Sequence, residues 1–256
     1  MKIHGRGPNG NYLMPIEEIR DLVISGENIL ERIASYRNER IAALNRGEGA
    51  VKAVYEPGHS LIVLHIIPFE SFSSYGGGLI NVSLKEVAEI IDLPRLGGLT
   101  SEYTYTLEGF AVFDASGTDN GYTHIHTNGI IEGVWNLAEP NNIWTLYPNR
   151  VEVELINKCS NYLEFLQNHG FVPPLVIMLS ILEADRLTVA SPTDFSMRPP
   201  GAGHFKGRKN LMFEPTFVSN DNQKIPVLMK GIFDSLWRAA GASGSPSYDE
   251  DGNWVP

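Results

Sequence analysis

One cysteine, Cys159, in 256 residues leaves no partner for an internal disulfide, which suits a reducing compartment. Long apolar runs are missing too. The longest, Leu61–Pro68, is interrupted by His65 and falls far short of the roughly 20 residues that a membrane helix needs. Met1–Gly7 leads into Pro8 and Asn9 without an apolar stretch, so no secretory signal is expected and the cytoplasm is the expected location. Neither a membrane partner nor a cofactor is expected. The chain holds no G-x-x-x-x-G-K-[ST] loop, G-x-G-x-x-G fingerprint, G-x-S-x-G elbow or C-x-x-C pair. With them go the usual supports for an ATPase, Rossmann, α/β-hydrolase or zinc-finger reading. Internal repeats and low-complexity tracts are absent as well.

What the chain has is apolar content and acid. At 43% hydrophobic residues it can bury a sizeable core, which excludes disorder. Thirty Asp and Glu against 20 Lys and Arg give a net charge of −10. The acid sits in the middle: residues 47–194 carry 18 acidic and 6 basic groups, whereas 1–46 and 195–256 each carry 7 basic and 6 acidic. A central field of that sign repels phosphate backbones, so any nucleic-acid contact is expected from the two ends.

The pattern predicts an α+β fold, a mostly antiparallel sheet packed with long helices and covered on one face. Gly7-Pro8-Asn9-Gly10 marks a short hairpin between Lys2–Arg6 and Asn11–Met14, because Asn-Gly favours the positive φ of a tight turn. One short helix is expected from Pro15 and a second over Glu27–Asn45, with Ser25 as its N-cap. Further helices are predicted over Ser83–Ile91, Arg150–His169 (with Cys159 on the core stripe and Gly170 ending it) and Ile225–Ala240. Leu61–Ile67 and Leu175–Leu182 read as buried strands, and Leu211–Val218 as an edge strand kinked at Pro215. Glu102–Phe113 and Tyr122–Leu137 read as a meander, the second split at Asn128-Gly129. The tail from Gly241 is expected to dock through Tyr248 and Trp254.

Candidate chemistry is sparse. His124 and His126 stand two apart on a predicted strand, so both imidazoles face one side and could share Zn²⁺, Ni²⁺ or Mn²⁺. A third donor from Asp114, Asp119, Glu132 or His65 would be needed, and the bland alternative is an exposed polar face of a hairpin. His65, inside an apolar strand, reads as a hydrogen-bonded core residue. Glu183 and Asp185, at the end of a buried strand, are placed where catalytic acids and divalent-metal ligands occur; strand ends are also simply where chains become wet. Asp249-Glu250-Asp251-Gly252 imitates a calcium loop, yet the chain stops before the closing ligand of an EF-hand. Two basic groups could take nucleic acid or another anion: Arg32, Arg37 and Arg40 on one helix, and Arg198, Lys206, Arg208 and Lys209 in a Pro/Gly-rich stretch. Arg37, close to the apolar stripe, is expected to be paired. Glu31 and Glu39 are the nearest partners.

GPNGNYLMPIEEIRDL (Gly7–Leu22), ERIASYRNERI (Glu31–Ile41), LIVLHIIPFESF (Leu61–Phe72), EGFAVF (Glu108–Phe113), NGIIE (Asn128–Glu132) and the closing LWRAAG and YDEDGNW together resemble the C-terminal half of bacterial proteins that begin with an AlbA-type, Schlafen-like DNA-binding domain. The resemblance touches most of the chain, but its motifs are descriptive rather than catalytic. It implies that residues 1–25 are a remnant of the trailing hairpin and helix of such a domain. Residues 26–256 would be a single companion domain whose partner is the upstream domain or another protein. The nucleic-acid surface of the AlbA-type domain, and the acids that make some relatives nucleases, have no matching positions here. No catalytic residue is therefore carried over. The leading expectation is a non-catalytic companion for ligand sensing or protein association, with self-association into a homo-oligomer left open. The rivals are a metal-dependent hydrolase or nuclease using His124 and His126, and direct nucleic-acid binding through the basic ends.

Overall fold

The computed structural model describes residues 4–7, 10–13, 16–51, 58–72, 79–80, 93–98, 100, 102–114, 121–137, 144–190, 205, 207–220 and 222–255. The chain divides into two compact units, Met1–Arg40 and Ile41–Pro256. In the first, β1 (His4–Gly7) and β2 (Gly10–Leu13) form an antiparallel hairpin with Gly7 opposite Gly10, as the Asn-Gly signal predicts. α1 then runs unbroken from Ile16 to Asn45. The two separate helices expected here are thus one, and Ser25 lies inside it rather than at an N-cap. A single interior glycine such as Gly26 costs only about 1 kcal/mol relative to alanine, whereas a break would leave backbone groups unpaired at two new ends.

The second unit holds, in chain order, β3 (Leu61–Pro68), β4 (Glu102–Tyr105), β5 (Gly109–Phe113), β6 (Gly121–His126), β7 (Ile131–Asn136), β8 (Trp144–Leu146) and α2 (Pro148–Asn168). β9 (Leu175–Leu182), β10 (Leu187–Val189), β11 (Leu211–Met212), β12 (Thr216–Val218) and α3 (Ile225–Ala239) follow. Eight strands build one antiparallel sheet in the order β11-β9-β3-β7-β6-β5-β4, with β12 also on β9. The fold is therefore α+β, with three helices among the described residues. β8 and β10 pair in parallel as a separate ribbon, which the sequence pattern does not signal. The expected run Glu102–Phe113 is two strands, turned where Thr106 N–H donates to Gly109 O at 2.9 Å. Pro215 separates β11 from β12, because proline has no N–H for the ladder. The helix expected over residues 83–91 lies outside the described residues.

Every residue of β3 and β9 is buried, so their apolar runs belong to strands covered on both sides. Ile62, Leu64 and Ile66 of β3 join Ile177, Leu179 and Ile181 of β9 in a core shared with α2 and α3. Leu61, Val63, Val134 and Leu182 face the other way, onto Ile41, Leu44 and Val51. A sheet covered on one face is thus corrected. Buried aliphatic side chains of this kind contribute about 1.5–3 kcal/mol each, so both layers stabilise the sheet.

α2 buries Val151, Leu155, Ile156, Cys159, Tyr162 and Leu166 at helical spacing. Gly170, at φ +85°, ends it by letting Phe171 N–H reach back to Leu166 O at 2.9 Å. Burial pushes the Cys159 thiol up to about 12, as befits a core residue. The tail docks as expected. Tyr248 and Trp254 pack against the core and bridge one another, and Tyr248 Oη donates to Pro226 O at 2.6 Å. The calcium-like string between them is a turn. Asp249 accepts from Asn253 N–H at 2.7 Å and from Asn253 Nδ2 at 3.1 Å, and these bonds hold its carboxyl below the usual range. Among the described residues no helix is long and apolar enough to cross a membrane.

Candidate functional site

Strand register brings three chemically capable side chains into one row. His65 on β3 stands opposite Glu132 on β7, and Glu132 stands opposite His124 on β6. Residues opposite in an antiparallel pair share a face of the sheet, so this row lies on the face of Leu61 and Val63. His65 and Glu132 are fully buried and His124 is 3% exposed. The Glu132 carboxylate is the hub. Its Oε2 lies 3.1 Å from His65 Nε2, and its Oε1 accepts from Tyr122 Oη at 2.8 Å. Tyr122 Oη in turn accepts from Ala50 N–H at 3.3 Å, tying the row to the segment after α1. A buried carboxylate with two such partners is a satisfied group, where a lone one would cost several kcal/mol.

His124 continues the row outward. Its Nε2 lies 2.8 Å from Thr106 Oγ1, a hydroxyl that also accepts from Gly109 N–H at 3.0 Å. His126, two residues on, lies on the same face as expected, its ring 4.1 Å from that of His124 and tilted by 44°. The exposed hairpin face considered for this pair is corrected: His124 is covered, because β6 lies between two other strands of a sheet buried on both sides. Of the third donors considered, Glu132 is opposite His124 and His65 lies one strand further. Asp114 instead faces the buried Arg95 guanidinium at 3.8 Å, and Asp119 is outside the described residues. Among the described residues no group of three or more His, Cys, Asp or Glu side chains is arranged to hold a metal ion.

Glu183 and Asp185 separate rather than converge. β9 ends at Leu182, Glu183 takes a left-handed conformation at φ 49°, and a 3₁₀ turn carries Ala184–Arg186 away. The Glu183 carboxylate is buried between Lys209 Nζ at 2.9 Å and Arg186 Nε at 3.5 Å, while Asp185 is exposed. The turn thus sets apart the two acids expected together at the end of the strand. Lys209, expected to meet anions, is bound to an acid of its own chain, and Arg208 beside it is exposed. Arg198 and Lys206 lie outside the described residues. Arg37 is buried, Arg32 is exposed, and Arg40 is half-buried; none of the three is without a partner. Glu39 accepts from Ser35 Oγ at 3.0 Å.

Sequence reasoning missed two polar anchors. Glu152, on α2, is fully buried and its Oε1 accepts from Trp237 Nε1 and Ser245 Oγ, each at 2.7 Å. This one oxygen joins α2, α3 and the tail. Thr123 Oγ1 meets Tyr162 Oη at 2.7 Å and accepts from Leu96 N–H at 2.9 Å, fixing the segment around Leu96 across the sheet. Glu132 carried a readable signal, a lone acid in the apolar run Ile130–Trp135; Tyr122 and Thr106 carried none, since their roles depend on strand register. No protein-family model, curated protein or solved structure matches the chain, so its own residues carry the functional reading.

Proposed function

We propose that this chain is a non-catalytic companion module of a cytoplasmic protein, one that senses a ligand or holds a partner instead of turning over a substrate. Its resemblance to the region that follows an AlbA-type, Schlafen-like DNA-binding domain agrees with that role. The observation that carries the reading is the state of the His65–Glu132–Tyr122 cluster. All three are fully buried, with imidazole and phenol each bonded to the carboxylate. A general acid or base must come within hydrogen-bond reach of a substrate proton, and these groups meet protein instead. A further support is that Lys209, expected to attract phosphates, is paired with Glu183.

The test is turnover by the purified chain on phosphodiester, nucleotide and ester substrates, with and without added Zn²⁺ or Mn²⁺. The proposal expects rates equal to the blank. Hydrolysis that disappears in His124→Ala or Asp185→Ala would overturn it in favour of a hydrolase.

A further inference from the structure

A second feature, on the opposite side of the sheet from the buried row, has the form of a receptor site. α2 presents Ser160, Leu163, Glu164 and Gln167, spaced on one stripe, to a half-open cavity of 220 Å³ bordered by the segment after α2 and by the β12–α3 turn. Leu163, Phe171, Val218 and Ile225 give it apolar walls. The turn that forms one side is held in shape by Gln223, whose Oε1 accepts from Ser219 N–H at 2.8 Å and Ser219 Oγ at 3.1 Å. Among the described residues that line the cavity, Glu164 alone is ionisable. It is exposed on α2.

We infer that this cavity binds a small monocation with a short apolar body, the ammonium at Glu164 and the hydrocarbon among Leu163, Phe171, Val218 and Ile225. The inference rests on the reading of the chain as a binding module and names its ligand class. Small-molecule sites are concave, mostly apolar and oriented by a few polar groups, which is this composition. The Glu164 carboxylate sets the sign of the ligand, and the chain's net charge of −10 raises the local concentration of cations. Size follows from volume: at ~30 Å³ per water, 220 Å³ corresponds to about seven waters. That is the bulk of a six-carbon amine.

Saturation-transfer NMR on the full chain tests this with n-hexylamine, hexanoate and n-hexanol as probes. Hexylamine, protonated at neutral pH, is expected to bind saturably, about fivefold more tightly than hexanol, the margin that one exposed ion pair supports. Hexanoate is expected to bind more weakly than hexanol. Glu164→Gln should abolish the preference for hexylamine while keeping hexanol binding, and Leu163→Trp should abolish both by filling the cavity. Ser160→Trp, on the exposed side of α2, serves the same purpose if Leu163→Trp fails to fold. No saturable hexylamine signal at millimolar probe, equal binding of hexanoate, or binding unchanged in the tryptophan variant would each overturn the inference. Absence of binding together with absence of turnover would leave the companion reading intact and remove only this site; turnover would remove the companion reading whatever binds here.

Discussion

Replacing Glu132 by alanine probes the buried row most severely. The carboxylate accepts from two fully buried groups, His65 Nε2 at 3.1 Å and Tyr122 Oη at 2.8 Å. Taking a partner away from a buried polar group costs about 1–3 kcal/mol, so two of them amount to ~2–6 kcal/mol, before any cavity is counted. Against a domain stability of about 5–15 kcal/mol that is a large fraction. Glu132→Gln keeps the volume and one oxygen acceptor, so its cost should stay below about half that of alanine. Urea unfolding followed by far-ultraviolet circular dichroism and tryptophan fluorescence measures both, with an unchanged m-value showing that the unfolded state is not altered. A cost below about 1 kcal/mol for Glu132→Ala, or equal costs for both variants, would refute the claim that these hydrogen bonds hold the sheet face together.

Three other outcomes follow from the same structure. Cys159 should resist a thiol reagent in the folded chain and react on unfolding, and because its folded pKa is raised to about 12, the stability it contributes is present below the unfolded value and lost as pH rises from about 9 to 12. Alkaline unfolding of Cys159→Ala should be correspondingly less steep; an identical pH profile would contradict the assignment. Asp249 has a depressed carboxyl, so its contribution is present above the unfolded value, near 3.9, and fades as pH falls through the folded one. Asp249→Asn should therefore flatten the acid limb of stability against pH. Glu152→Ala removes the acceptor shared by Trp237 and Ser245; it should destabilise by ~2–4 kcal/mol in thermal unfolding and expose the tail to limited proteolysis, and an unchanged cleavage pattern would count against the clamp.

How legible these features were depended on range. Leu61–Pro68 and α2 follow from periodicity and punctuation, since local sequence sets them: a short apolar run rich in β-branched residues in the first, a core stripe at helical spacing and Gly170 in the second. α1 was misdivided because Ser25 and Gly26 look like a helix start, while the cost of one glycine is smaller than that of two new helix ends. β8 and β10 are three residues each and pair across more than 40 positions, so no local signal announces them. The candidate site divides the same way. The shared face of His124 and His126 follows from alternation, but their burial depends on neighbours brought in by β5 and β7. The fate of Glu183 turned on one left-handed residue that ended the alternation, and that of Lys209 on an acid 26 positions away.

Native-state carbethoxylation of histidines, mapped by mass spectrometry, addresses the central claim directly. His59, His126 and His169 are half-buried, whereas His65 and His124 are sealed within the sheet. The account predicts early modification of the first three, with His65 and His124 protected until the chain unfolds. Modification of His65 and His124 at the rate of the others, under conditions where the fold persists, would show an open imidazole–carboxylate centre and contradict it.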